Sequence, residues 1–349
     1  MSDLKHENIL NNIKILPQKT AIVLLNMGGP NSLFEVKMFL QNMFADPYIL
    51  PIKSDFLRKI IGSFIVNQRL EESQNNYQKI GGKSPLVSHT FALCEILKQL
   101  DNQYYFTYAM RYTPPFATTV VQDLKQKGIQ EIVLFSMYPH FSYTTTTSSV
   151  QDFLSALKTQ NFSPKVQIVE RYYKEESYNL VILNRILEAL NGEDSKEFHL
   201  IFSAHSLPQK NIERGDPYQK EILENVEILK SMLKAQGIEF ASIKVAYQSK
   251  IGPIKWLEPN LQDILPKYKN KKLLIYPIAF TIDNSETDFE LSIQYRTLAQ
   301  NIRIKDYRVA KCLNATPSFA QCILEIFKKT MESKKREVIQ TAQNTIFRI

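Results

Sequence analysis

EFHLIFSAHSLP, residues 197–208, is the stretch that decides the fold. It is mostly apolar up to Ala204 and then breaks into His205 and a Leu207-Pro208 turn. A strand of that composition is covered on both faces, as in parallel sheets flanked by helices. Working outward, seven more runs have a similar character. They are TAIVLLNM at 20–27, QYYFTYAM at 103–110, QEIVLFSMY at 130–138, KVQIVE at 165–170, IKVAYQ at 243–248, KLLIYPIA at 272–279 and YRVAKCL at 307–313. Amphipathic helical segments lie between them: Thr90 to Asp101, Pro217 to Gln236 behind a Gly-Asp-Pro start signal, and Pro317 to Lys334. Strand–helix alternation of this kind implies parallel sheets with helices on both faces. The expected fold is α/β, with eight strands in two groups of four and a cleft between two domains. The expected units are residues 1–170, residues 171–316, and a C-terminal helix and tail at 317–349. No Gly/Ser or charged linker separates the halves, so close packing is expected.

Composition agrees and excludes other classes. The chain has 349 residues, 44% hydrophobic and 22% charged. That is an ordinary globular mixture, not a disordered, collagen-like or coiled-coil chain. Its length suggests about two domains. Only 10 residues are glycine, so each should mark a position where the backbone has little choice. The net charge of +8 fits membrane surfaces, nucleic acid or carboxylate-bearing ligands and selects none of them. Cys94, Cys312 and Cys322 form no C-x-x-C pair and no disulfide framework, which suggests a reducing compartment. The first 18 residues have neither the form of a secretory signal nor that of an organelle presequence. No run reaches 18 apolar residues, so no membrane span is expected. The expected compartment is the cytoplasm.

In open α/β sheets, ligands bind beyond the carboxyl ends of the strands. Those ends carry Asn26-Met27-Gly28-Gly29-Pro30, Arg111-Tyr112, Tyr138-Pro139-His140, His205-Ser206, Gln248-Ser249-Lys250 and Asp283-Asn284-Ser285-Glu286. Polar and ionisable groups thus gather on one rim of both sheets, which has the form of a site. The Gly28-Gly29 pair lacks the Gly-x-Gly-x-x-Gly pattern, and its proline withholds an N–H from any phosphate. A tight turn bringing backbone close to a flat ligand is the better reading. Gly81-Gly82 reads as a helix stop.

His6 lies in the N-terminal tail, His89 is read as a cap or surface residue, and His199 as a structural partner within a strand. His140 stays open between site and scaffold. His205 stands at a rigid sheet end, where a neutral imidazole can take a proton or ligate a metal. Glu286 opens a helical stretch with Glu290 at i+4 and Gln294 at i+8, all on one face. The bland reading is acids placed favourably near a helix N-terminus. The functional one is a carboxylate row passing protons or divalent cations, and with His205 it offers ligands suited to iron(II) in an open, weak site. Residues 47–69 are apolar yet carry Lys53, Arg58, Lys59 and Arg69, which reads as a lip beside an apolar, carboxylate-bearing ligand or a face touching membrane. KYKNKK at 267–272 reads as a solvated turn, and 328–337 as an exposed helix end.

Taken together, LLNMGGP, YQKIGGKSPL, MRYTPPF, the YPHFS and TTTTSS stretch, FSAHSLP, RGDPY, YQSKIGPIKWLEP and FTIDNSET resemble the ferrochelatase family in order and approximate spacing. The likeness runs from residue 20 to about 325. It implies two similar Rossmann-like α/β domains around a porphyrin cleft, and a lyase reaction that inserts Fe²⁺ into a porphyrin. By motif position, it implies catalytic and iron-contacting roles for His205 and Glu286, with Glu290 beyond them as a metal or proton station. It implies propionate contacts for Arg69, Tyr77 and Ser84. Met27, Arg111 and Tyr112 fall on the opposite wall of the pocket, and Trp256 near the ring.

The chain departs from the family at Asn284, often a histidine, and at Gln294, often a third acid, so the path beyond Glu290 is altered. Cys312 and Cys322 alone cannot hold a 2Fe–2S cluster, so none is expected. Fe²⁺ is then substrate, with no permanently bound cofactor. Met27 stands where coproporphyrin-using members commonly have tyrosine, which favours protoporphyrin IX. Coproporphyrin III is the alternative substrate. A tetrapyrrole carrier without catalysis is the rival from another class, and a nucleotide-dependent transferase is disfavoured by the missing phosphate loop. No nucleic-acid partner is expected. The remaining expectations are a monomer or weak dimer, with peripheral contact at the inner membrane as an option of the lip.

Overall fold

The computed structural model describes residues 18–250, 252–332, 337–340 and 345–348, the last two by their backbone. The expectations for the N-terminal segment, for His6 and for the 333–336 part of the lysine-rich run lie outside the described residues.

Eight strands form where the apolar runs predict them. In the first half these are β1 (Thr20–Asn26), β2 (Tyr105–Met110), β3 (Glu131–Ser136) and β4 (Lys165–Val169). The second half has β5 (Phe198–His205), β6 (Ser242–Gln248), β7 (Lys272–Pro277) and β8 (Asp306–Val309). The orders are β2-β1-β3-β4 and β6-β5-β7-β8, the same topology twice, with every pairing among these eight parallel. One feature departs from the expectation of four strands per sheet. A hairpin, β9 (Glu337–Gln340) and β10 (Thr345–Arg348), adds to the first sheet, with β10 parallel to β4. Its two four-residue segments follow a charged run, and β10 pairs with a strand far away in sequence, so no local pattern announces them.

The α-helices of seven residues or more among the described residues are α1 (Glu35–Ala45), α2 (Asp55–Lys79), α3 (Leu86–Leu100), α4 (Ala117–Gln126), α5 (Ser148–Thr159), α6 (Glu176–Leu190), α7 (Tyr218–Ala235), α8 (Tyr295–Asn301) and α9 (Pro317–Glu332). Tyr143–Thr147 and Glu286–Gln294 are π-helical.

Alternation along each strand divides its side chains between two layers. Ile22 and Leu24 of β1 point into one core while Ala21, Val23 and Leu25 point into another. Phe202 and Ala204 of β5 share the first of these cores with Leu274 and Tyr276 of β7, while Ile201, Leu273 and Ile275 face an outer one. The central core is therefore continuous across both halves. Phe319, Ile323 and Phe327 of α9 belong to it, and α9 packs on both α3 and α6. At about 25 cal/mol per Å² of apolar surface, such shared burial opposes independent motion of the halves.

Helix α2 is apolar in its first three turns and polar beyond them. Ser54 caps its start by accepting Leu57 N–H. Arg58, counted above among the basic lip residues, is buried; its guanidinium donates to Ala45 O at 2.8 Å and Ile52 O at 2.6 Å. Phe56, Leu57, Ile60, Ile61 and Phe64 stay exposed, together with Phe34 in the loop before α1. Gly81 and Gly82, with φ of +91° and +80°, end the helix, and Gly82 N–H returns to Tyr77 O at 2.8 Å.

Candidate active site

The first parallel strand of the second half ends on His205, with Ser206 N–H still bonded to Gln248 O at 2.8 Å. Its side chain is one-third exposed. His205 Nδ1 lies 2.9 Å from Glu286 Oε2. An ionised carboxylate only accepts, so Nδ1 donates and Nε2 keeps the free lone pair of the neutral ring. Burial pulls the His205 pKa down, but the Glu286 charge, its hydrogen bond and Glu290 outweigh this and hold it above the ordinary value.

Glu286 is placed by the turn before it. Asn284 Oδ1 accepts Glu286 N–H at 2.8 Å, and Asn284 N–H donates to Thr287 Oγ1 at 3.0 Å. The segment is helical as expected, but its pitch is π. Tyr295 N–H reaches Glu290 O, and Ser292 Oγ donates to Thr287 O, each five residues back. Period analysis misses this because carboxylates four apart share a face in either helix. Among regular helices the π form is rare and often marks a functional site.

Glu290 is gripped by Ser249, whose N–H donates at 2.8 Å and whose hydroxyl binds the other oxygen, and by Tyr295 O–H at 3.1 Å. Burial and the neighbouring Glu286 charge push its carboxyl above the usual range, and the Ser249 bonds and His205 only partly offset them. Gln294, one step on, is exposed. Among the described residues no three His, Cys, Asp or Glu side chains converge on a closed metal site.

The first-half residues gather around the end of β1. Arg111 N–H donates to Asn26 O and Tyr112 N–H to Met27 O, both at 2.9 Å. Gly28 has φ of +83°, and a Cβ there would lie 2.2 Å from Thr113 Oγ1; one at Gly29 would lie 2.5 Å from Ser84 Oγ. These are the two glycines that let Thr113 and Ser84 close on the loop. Ser84 is buried, with N–H to Pro30 O at 2.8 Å. Tyr77, at the end of α2, is buried and donates to Ser285 Oγ at 3.3 Å, beside Glu286; burial pushes its hydroxyl up to about 12.

Arg111 and Tyr112 are already engaged. The Arg111 guanidinium meets Asp46 at 3.1 Å, Asp152 at 3.4 Å and Ser148 Oγ at 2.9 Å, and Tyr112 O–H donates to Asp46 Oδ2 at 2.8 Å. Arg69 is half-buried on α2 with no ion pair among the described residues. Trp256 is half-buried in the loop that bridges to Pro208, three residues beyond His205.

Sequence reasoning gave no role to Asp46, Tyr218 or Tyr295, and Ser285 was noted only as one of the strand-end residues. Ser249 stood at a strand end and was findable by that rule, whereas Asp46 sits in an ordinary Ala-Asp-Pro turn that nothing marks. His140 proves to be scaffold. It is buried, its Nε2 lies 3.0 Å from Asn225 Oδ1, and burial lowers its pKa to about 3.

The family model described as ferrochelatase matches residues 19–331. A ferrochelatase of Wolinella succinogenes is 53% identical over 311 residues, which is 89% of this chain and 98% of that protein. One of Helicobacter acinonychis is 51% identical over 322 residues, covering 92% and 95%. Among solved structures, SirB from Bacillus subtilis with Fe³⁺ matches with a TM-score of 0.55 at 9% identity, covering 90% of this chain and 96% of that one. CbiX, described as the terminal enzyme for biosynthesis of siroheme in denitrifying bacteria, matches with 0.52 at 12% identity, covering 88% and 98%. At those identities the structural likeness shows the two-domain α/β fold alone.

Proposed function

The chain belongs to the ferrochelatase family, and from that premise we propose that it inserts Fe²⁺ into protoporphyrin IX to give protoheme, the last step of heme biosynthesis. The observation that carries the catalytic reading is the His205–Glu286 pair at 2.9 Å, one-third and one-quarter exposed at a strand end.

Metallation removes two pyrrole protons as Fe²⁺ enters, and it requires the macrocycle to pucker so that its nitrogen lone pairs reach the metal. Binding energy from the outer parts of the ring supports that distortion. In this reading His205 Nε2 accepts a pyrrole proton and Glu286 stabilises the resulting imidazolium. Glu290, with its raised carboxyl pKa, is the next proton acceptor toward solvent. The same three side chains offer donors to Fe²⁺ in transit, as substrate. Met27, Arg69, Tyr77, Ser84, Arg111, Tyr112 and Trp256 form the porphyrin contacts, with Arg111 supplying packing more than free charge because Asp46 and Asp152 face it.

The proposal gives the chain no resident cofactor. The three thiols are buried on separate elements, and burial raises the pKa of each. Protoporphyrin is favoured over coproporphyrin by Met27 and by the exposed apolar face of Phe34, Phe56, Ile60 and Phe64, which suits an apolar porphyrin and peripheral contact with the inner membrane from the cytoplasmic side. No helix among the described residues is long and apolar enough to cross a membrane. No nucleic acid enters the reading, and the working unit is a monomer or weak dimer.

The test is anaerobic metallation of protoporphyrin IX with Fe²⁺, followed by absorbance, with coproporphyrin III in parallel. Heme formation with a higher kcat/KM on protoporphyrin is expected. A preference for coproporphyrin would move the enzyme to the other substrate, and porphyrin binding without metallation would make it a carrier.

A further inference from the structure

Four consecutive residues of the first half dock on α7 of the second and on the turn that precedes it. His140 Nε2 lies 3.0 Å from Asn225 Oδ1, and Phe141 N–H donates to Glu221 Oε2 at 2.7 Å. Ser142 O–H donates to Asp216 Oδ2 at 2.8 Å and Tyr143 N–H to the same oxygen at 2.9 Å. Asp216, Glu221 and Asn225 are all buried. Tyr143 is also the first residue of the first-half π segment.

The other oxygen of Asp216 faces the catalytic half. Oδ1 accepts Tyr218 N–H at 3.0 Å, and the buried Tyr218 sends its hydroxyl to the main-chain carbonyl of His205 at 2.9 Å. His205 is the last residue of β5, where the ladder to β6 ends at Gln248. A hydrogen-bonded line therefore runs from the first-half wall, through one carboxylate and one phenol, to the backbone of the residue whose ring meets Glu286. The sequence reading used the Gly215-Asp216-Pro217-Tyr218 turn as a helix start and as part of the family resemblance, and gave Asp216 and Tyr218 no role of their own.

We propose that Asp216 and Tyr218 are positioning residues, which set the place of the His205 imidazole relative to the opposing wall. The inference rests on the metallation reading above. A ring held between two walls presents its N–H groups at a fixed depth, so a base must come within hydrogen-bond reach of that depth. Small displacements of a reacting group are costly in rate even when binding is kept. Both supporting groups are buried and reach the chemistry through His205.

The test compares Tyr218→Phe with wild type in steady-state metallation. It removes one hydroxyl and keeps the ring. We expect kcat to fall about tenfold, the effect of one lost hydrogen bond. Porphyrin KM should stay within about twofold and the thermal midpoint within about 2 °C. In a His205→Ala background the same change should leave the residual rate unaltered. Asp216→Asn should act in the same direction, and Tyr218→Phe decides the matter if that variant fails to fold. An unchanged kcat in Tyr218→Phe, or a fall shared equally by kcat, porphyrin affinity and thermal midpoint, would overturn the proposal. An inactive wild type would defeat the functional reading and this inference with it; an active wild type with an indifferent Tyr218→Phe would defeat the inference alone.

Discussion

The two halves are the same scaffold carrying different chemistry. In each, a central strand is flanked in the same order, and a π-helical segment follows the third strand of the set. The first half ends its central strand in Asn26 and a loop closed by Thr113 and Ser84, and its π segment reads YTTTT. Its ionic groups, Asp46, Arg111 and Asp152, neutralise one another. The second half ends its central strand in His205 and begins its π segment with Glu286, leaving titratable groups partly exposed and mutually shifted. One topology thus separates a wall built for packing from a wall built for proton and metal traffic.

The sharpest test of that division is His205→Ala. Loss of a general base costs about 10²–10⁴ in rate, so metallation should fall by about 10³-fold. The thermal midpoint should hold, because the side chain is one-third exposed. A variant that metallates at near wild-type rate would remove the second half's special role. Asp46→Ala is the mirror experiment. It leaves Arg111 and Tyr112 without their buried carboxylate and should cost about 3 kcal/mol of stability, read by urea unfolding. If it lowered turnover at full stability instead, the first half would be chemical too.

Glu286→Gln comes next, with turnover down about tenfold to a hundredfold. Glu286 raises the His205 pKa, so losing its charge should move the acid limb of the rate profile to lower pH. The sign for stability follows from the same shift. A histidine whose folded pKa is raised stabilises the fold below its unfolded value of about 6.5, and loses that contribution as pH climbs through the folded value. The variant should therefore be relatively less stable at pH 6 than at pH 9, and an acid limb that stays in place would break the coupling. The smallest effect is expected at Phe64→Ser, on the exposed face of α2. Stability should change by less than about 0.5 kcal/mol, as for an ordinary surface site. Binding to anionic vesicles should weaken; unchanged binding would leave the apolar lip to the porphyrin alone.

Most strands were legible because a strand buried on both faces writes itself as an unbroken apolar run. Helices were less so. Only the segments at 90–101, 217–236 and 317–334 and the stretch opened by Glu286 stood out, while α2 hid its role behind exposed phenylalanines and a buried Arg58. His205 and Glu286 were visible as polar residues interrupting apolar strand ends. Asp46 was invisible, since its partners Tyr112, Ser148 and Arg111 lie 65 or more positions away. The π pitch and the added hairpin escaped for related reasons, since one needs a hydrogen-bond register and the other a distant partner strand.

By itself, then, the sequence determined the periodicities: two α/β halves, their strand ends, and which residue types stand there. Those follow from local rules of burial and turn chemistry that act over a few residues. Only the tertiary structure decided that His205 Nδ1 meets Glu286, that Ser249 and Tyr295 hold Glu290, and that Asp216 joins the first-half wall to the His205 backbone. The His205–Glu286, Ser249–Glu290 and Ser142–Asp216 contacts each join segments 41 or more positions apart. Such contacts exist because the two sheets share one core, and distance along the chain carries no record of that packing.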